Sequence, residues 1–270
     1  MNNNLSFIVN THSSMKDIWP LFSYFLNKYL PKSNIYIFTN TKSEYFSNFK
    51  TIIYDEKLDF TSQYLNSLTK VKEKFSITLN DDYFLSGKVN FHEINRIINL
   101  LKENKIVSFV RLFKCNTQNY TNIKFDKNLY MINPSMRNIY SQSATLWKTD
   151  HLINLYKEAP KGFIGKKGKL NKFQNKFKLC TEDEVDKIAL KNNILGLYTY
   201  YGEKIKGFSF YESKILPHLN SVIIGGEWNF IEYQDELKSI FKKFNVKSSR
   251  KKVHSNYKEK IHSYLKKIFQ

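Results

Sequence analysis

The sequence predicts an α/β fold: a mixed, mostly parallel sheet flanked by helices, with a basic helical tail. Three observations predict it. Between Met1 and Leu85, short apolar runs with strand alternation take turns with stretches of helical period, in the order strand, helix, strand, strand, helix, strand. The 270 residues are 41% hydrophobic and 16% aromatic, enough for a packed core in one domain with an appendage, and not a composition of disorder. From Ile231 onward the composition turns basic and helical, which divides the chain into residues 1–230 and an extension over 231–270.

Leu5 to Asn10 reads as a buried first strand, followed by the polar loop Thr11-His12-Ser13-Ser14. Asp17 to Leu30 carries Ile18, Leu21, Phe22, Phe25 and Leu26 on one helical face, and Pro31 stops it. Asn34 to Asn40 is a second strand and Thr51 to Tyr54 a short third. Ser62 to Lys74 is helical in pattern, with Tyr64, Leu65, Leu68 and Val71 inward. Phe75, Ile77 and Leu79 alternate with Ser76 and Thr78 in a fourth strand, which runs into Asn80-Asp81-Asp82. The order is Rossmann-like.

Asn90 to Lys105 is an amphipathic helix through Ile94, Ile97, Ile98 and Leu101, and Ile106 to Phe113 a strand broken by Arg111. That arginine either clamps a phosphate or sugar bidentately or points into solvent from an edge strand. Asn116 to Ser141 reads as loops and short strands bordering a cleft. Ser143 to Trp147 is another strand, and Thr149 is expected to N-cap a helix from Asp150 to Glu158. Trp147 either stacks on a sugar or belongs to the core. Ala159 to Lys169, with three glycines and a proline, is a flexible loop. Thr181 and Glu184 form a capping box, which makes Glu182 to Glu184 a first helical turn with Val185, Ile188 and Ala189 facing the core. Leu195 to Tyr201 and Ile223 to Phe230 flank Leu216-Pro217-His218-Leu219, and Asp235 to Phe244 is a short helix.

In open α/β sheets ligands bind beyond the carboxyl ends of the strands, and hard divalent cations take carboxylate oxygens. An Asp-rich turn closing a strand accounts for Asn80-Asp81-Asp82 equally well from these residues alone. The stretch Phe75 to Leu85, a hydrophobic strand running into Asn-Asp-Asp-Tyr-Phe-Leu, resembles the Asp-x-Asp region of GT-A fold glycosyltransferases. The resemblance extends over roughly residues 5 to 230. It implies that Asp82 ligates Mn2+ or Mg2+, which grips the diphosphate of a nucleotide sugar, with Asp81 beside it at the metal or the ribose. Asn80 stands where the family has an acid, and its place is on the donor. Thr11, His12 and Ser13 would meet the base and ribose, although His12 reads more readily as a loop histidine without a chemical role. Arg111 would join the donor site and Trp147 the acceptor site.

The same family sets a glycine-containing loop before a Glu-Asp pair at a helix start, and in inverting members that Asp deprotonates the acceptor hydroxyl. The resemblance therefore implies Asp183 as base, with Glu182 or Glu184 as second choice. A carboxylate of pKa ~4 is ionised at neutral pH and can take that proton. The helix dipole favours acids in a first turn whatever their function. Many members use a later histidine on the metal or phosphate, which implies His218; an ordinary surface histidine fits the same residue.

The net charge of +19 invites nucleic-acid or anionic-membrane readings. Pervasive Lys, Asn and Ile usage and an anionic nucleotide-sugar substrate account for part of it. No RRM signature or zinc finger accompanies the charge, so a basic nucleic-acid-binding protein is the weaker alternative. A sugar nucleotidyltransferase would share the metal logic, but the Gly-rich, Arg- or Lys-bearing signature such enzymes usually carry near the first strand is absent here. Dinucleotide and P-loop glycine motifs are absent too. The two cysteines, Cys115 and Cys180, form no Cys-x-x-Cys pattern, and Met1 to Asn4 has no signal-peptide character. A soluble, reduced, cytoplasmic protein is expected. Val246 to Val253 reads as a basic linker. Beyond it Tyr257, Ile261, Tyr264, Leu265, Ile268 and Phe269 recur at helical spacing among lysines, either to lie on an anionic membrane face beside a lipid-linked glycan acceptor or to dock on the protein itself.

Overall fold

Apolar runs buried on both faces dictate the sheet. β1 (Leu5–Asn10) is buried along most of its length because it pairs in parallel with β2 (Asn34–Thr39) on one side and β4 (Phe75–Asn80) on the other. The computed structural model describes residues 4–115, 120–134, 139–140, 142–159, 181–206, 210–246 and 250–252, with the side chains of 181–184 excepted. Among them, nine strands form one sheet in the order β3-β2-β1-β4-β9-β6-β10-β8-β7. Here β3 is Lys50–Ile53, β6 Val107–Arg111, β7 Tyr120–Asp126, β8 Leu129–Ile132, β9 Thr145–Lys148 and β10 Leu195–Thr199. β8 and β9 run against the other seven, so the sheet is mixed and mostly parallel, as expected.

Alternation sorts the side chains between two layers of helix. Phe7, Val9, Ile35, Ile37, Ile77 and Leu79 pack with α1 (Trp19–Tyr29) and α3 (Phe91–Glu103). Ile8, Tyr36, Phe38 and Ile52 pack with α2 (Phe60–Leu68), α4 (Thr149–Glu158) and α5 (Thr181–Lys191). Ser76 and Thr78 do not face water: a buried seam links Ser6 Oγ to Ser76 Oγ at 3.0 Å and Ser76 Oγ to Thr149 Oγ1 at 2.8 Å, while Thr78 donates to Ser143 O at 3.0 Å. Thr149 is thus the first residue inside α4 and not its cap; Lys148 holds the cap position.

Other bounds shift for local reasons. α1 begins at Trp19 because Pro20 suits a first turn, and Asp17 stays outside it. Asp59 caps α2 through Ser62 N–H, and that helix stops at Leu68, short of the expected Lys74. Asn90 caps α3 through Glu93 N–H. Small strand pairs flank the sheet: β11 (Ile205–Lys206) with β12 (Phe210–Tyr211), β13 (His218–Leu219) with β5 (Phe84–Leu85), and the hairpin β14 (Ile223–Ile224) with β15 (Glu227–Trp228). α6 (Gln234–Phe244) lays Leu237 into the core and sets Phe241 edge-on to Trp228 and Phe230. It ends at Asn245 in the left-handed conformation that terminates helices. No helix among the described residues is long and apolar enough to cross a membrane. The expected amphipathic tail beyond residue 252 and the glycine-bearing loop beyond Ala159 lie outside the described residues.

Candidate functional site

The carboxyl ends of β1 and β4 are neighbours because the strands pair in register, Asn10 beside Asn80. Each then releases a polar loop at the same edge. The Thr11 hydroxyl donates to Asp81 Oδ2 and accepts from Trp19 Nε1 at 2.8 Å. A buried indole N–H usually finds an acceptor; here that acceptor is the Thr11 hydroxyl, which is so oriented from behind with its own proton turned to the carboxylate. Tyr54 donates to Thr11 O at 2.9 Å, and Thr11 N–H donates to Phe38 O at 2.9 Å. Asp81 is therefore backed by a fixed group on a fixed loop.

Asp81 is buried and Asp82 half-buried. Burial pushes the Asp81 carboxyl up to about 6, against the Thr11 hydrogen bond, which lowers it. Burial pushes Asp82 up to about 8, and the Asp81 charge beside it adds to the rise. Two adjacent acids that resist ionising together form a pair that a cation relieves. They open onto a cavity of about 310 Å3 lined also by Asn10, Thr11, His12, Met15, Asn80, Gln142 and Ile223. Among the described residues no group of three His, Cys, Asp or Glu side chains converges. Two carboxylates suit a hard cation that draws its other ligands from water and phosphate, as Mg2+ commonly does.

His12 caps a short 3-10 turn. Its Nδ1 accepts from Ser14 N–H at 3.0 Å, which leaves Nε2 to donate to Glu56 Oε1 at 2.9 Å. Ser13 does not line the cavity: its N–H donates to Asn40 Oδ1 at 2.8 Å, and its Oγ accepts from Asn40 Nδ2 at 2.9 Å. It steadies the loop.

Three expected site residues are elsewhere. Arg111 is 2% exposed because β6 is interior to the sheet, not at an edge; its terminal nitrogens donate to the Tyr120 hydroxyl and to Ile139 O at 2.9 Å. It braces β7 and the 139–140 stretch from inside, in place of the expected phosphate clamp or solvent position. Trp147 is 0% exposed and lies 4.4 Å from Phe109, ring centre to ring centre, on interior strand β9. It offers no face to a sugar. His218 is 5% exposed; its Nδ1 donates to Leu216 O at 2.6 Å, and the ring stacks on Tyr83 at 5.1 Å. It is not among the residues that line the Asp81–Asp82 cavity, and it is no surface histidine either.

Glu182, Asp183 and Glu184 occupy the first turn of α5, and their side chains lie outside the described residues. One turn on, Asp186 accepts from Tyr140 N–H at 2.9 Å, and two residues beyond Tyr140 the chain sends Gln142 into the cavity. Met15, Gln142 and Ile223 carry no signature in the sequence; they reach the cavity from the 3-10 turn after β1, the segment before β9 and β14 respectively.

No family model matches this chain, and no curated protein matches it. Solved structures resemble it in outline. UDP-glucose pyrophosphorylase complexed with UDP-glucose aligns at TM-score 0.45 and 8% identity over 74% of this chain and 91% of its own. S. aureus TarS aligns at 0.44 and 13%, over 78% of this chain and 36% of its own. The mannosyltransferase PcManGT from Pyrobaculum calidifontis, in complex with GDP-Man and Mn2+, aligns at 0.39 and 11%, over 56% and 46%. This chain thus spans less than half the length of the last two. At this identity and overlap a likeness assigns no activity.

Proposed function

We propose that this protein is a metal-dependent glycosyltransferase, moving a sugar from a nucleotide-sugar donor, a UDP-sugar by preference, to a hydroxyl of a glycan or lipid-linked glycan. The observation that carries the reading is the Asp81–Asp82 pair at the carboxyl tip of β4, facing a cavity shared with the loop of β1. Its residues fit a resident Mn2+ or Mg2+, held by Asp82 and Asp81. When bound, the cation neutralises the departing nucleoside diphosphate as a Lewis acid.

The remaining work belongs to the chain. Trp19 and Thr11 hold Asp81 in one orientation, so the acidic pair is set before the donor arrives. His12, Asn80 and Gln142 supply polar contacts in the cavity wall. Asp183 takes the acceptor proton, with Glu182 and Glu184 in reserve; the tie from Asp186 to Tyr140 supports this by holding α5 beside the segment that carries Gln142. A base favours inversion of the sugar carbon. The enzyme works in the cytoplasm, with its basic tail against the inner face of a membrane.

A thermal-shift screen of UDP- and GDP-sugars with and without Mn2+ tests the reading. The protein is expected to be stabilised only when donor and Mn2+ are both present, and Asp82→Asn to lose that shift. Asp183→Ala is expected to keep the shift and lose donor turnover. A shift indifferent to Mn2+, or kept by Asp82→Asn, removes the metal assignment. Pyrophosphate release from a nucleoside triphosphate and a sugar phosphate would replace transfer with nucleotidyl chemistry.

A further inference from the structure

Residues 250–252 return to the loop after β1 and the hairpin β14–β15. Trp228 N–H donates to Lys251 O at 2.9 Å, Lys252 bridges to Trp228 as a parallel strand residue, and the Lys252 ammonium lies over the Phe230 ring at 5.1 Å. This seat presents Arg250 to the loop after β1. Its Nε and Nη2 meet both carboxylate oxygens of Asp17 at 2.6 and 2.7 Å. Nη2 also donates to Ser14 O at 3.0 Å, and Nη1 to Gly226 O at 3.2 Å. Gly225 and Gly226, at φ 58° and 85°, form the two-residue turn between β14 and β15, where positive φ is required.

One guanidinium therefore ties the 14–17 loop to the hairpin tip. Both tied pieces reach the cavity, the loop through Met15 and the hairpin through Ile223. The hairpin root is itself fixed on the acidic strand end, since Val222 N–H donates to Asp82 O at 3.0 Å. The Arg250 charge also acts on Asp81, lowering its carboxyl against the larger effect of burial.

We propose that Arg250 is a positioning residue for the diphosphate of the donor: it clamps the 14–17 loop against the hairpin and so sets the wall of the Asp81–Asp82 cavity in advance. The inference rests on the nucleotide-sugar reading above. Arg250 does not line the cavity; it acts through Met15 and Ile223. A wall fixed beforehand spares the complex the entropy of ordering two loops. The planar fork that spans Asp17, Ser14 and Gly226 has no lysine equivalent.

The test is calorimetric titration of full-length wild type, Arg250→Ala, Arg250→Lys and Asp17→Asn with UDP and GDP in Mn2+, with melting temperatures and hydrogen exchange of residues 11–17 alongside. Arg250→Ala and Asp17→Asn are expected to weaken binding about ten-fold and to speed exchange in the loop, and Arg250→Lys to rescue little of either. Should Arg250→Ala not fold, Asp17→Asn carries the test, because it opens the same fork from its other side. Wild-type affinity in Arg250→Lys would show that charge alone suffices and overturn the clamp. Unchanged affinity in both other variants, with wild type binding normally, overturns this inference alone. Wild type that binds neither nucleotide overturns it together with the donor-site reading.

Discussion

Thr11 shows how one side chain organises the acidic pair. It receives the Trp19 indole proton and gives its own to Asp81, so both neighbours depend on it. Thr11→Val keeps the shape and removes both bonds. It is expected to cost about 1–3 kcal/mol, read as a lower midpoint in urea unfolding at constant slope, because a buried indole N–H and a buried acid each lose a partner. The site roles that did not hold were those judged by chemical type, and for Trp147 it is the core reading that stands. Arg111, Trp147 and His218 suit phosphate, sugar and metal in the abstract, yet all three are interior and occupied with internal bonding or packing. Nothing in the neighbouring residues of the chain distinguishes those outcomes.

Elements depend on which neighbours their faces meet. Gly196 in β10 lies against the ring of Phe109 on β6, so closely that an added Cβ would strike it. Phe109 is itself packed on Trp147 and cannot retreat. Gly196→Ala is expected to destabilise by about 1–3 kcal/mol, the usual cost of overpacking, measurable by thermal or urea unfolding. The edge of the sheet is held differently: Arg96 of α3 pairs with Glu93 at 2.7 Å and with Asp126 of β7 at 2.5 Å, and Tyr201 donates to Glu93. Burial acts to raise the Glu93 carboxyl, but the Arg96 and Tyr201 bonds and the Arg96 charge outweigh it, and the group is lowered. A lowered acid contributes stability above its unfolded pKa of about 4.3 and loses it as pH falls through the folded value. Wild type is therefore expected to lose its advantage over Glu93→Gln as pH falls from about 6 to 3, read as converging unfolding midpoints; a constant gap would count against the network.

For the whole molecule, the described residues after Phe230 are tied back to the core. Tyr233 and Leu237 are fully buried, and Phe241 packs on Trp228. A chain ending at Phe230 would uncover Trp228 and the core beneath it. It is expected to be recovered insoluble or with a markedly lower melting temperature than the full length. Arg250 to Lys252, read from sequence as linker, likewise pack on the hairpin β14–β15. The +19 charge adds self-repulsion, so added salt should raise the melting temperature.

By itself the sequence determined the α/β class, the alternation from β1 to β4, the helical faces of α1 and α3, and the acidic end of β4. These follow from hydrophobic period and from the polar residues that end a strand, and both are local properties. Tertiary structure alone decided that β9 enters antiparallel between β4 and β6, which buries Trp147 and makes Arg111 interior. It alone gathered Met15, Gln142 and Ile223 at one cavity and set Arg250 on Asp17. Strand neighbours and distant pairings arise from how whole faces fit together, and no local pattern of residues encodes that fit.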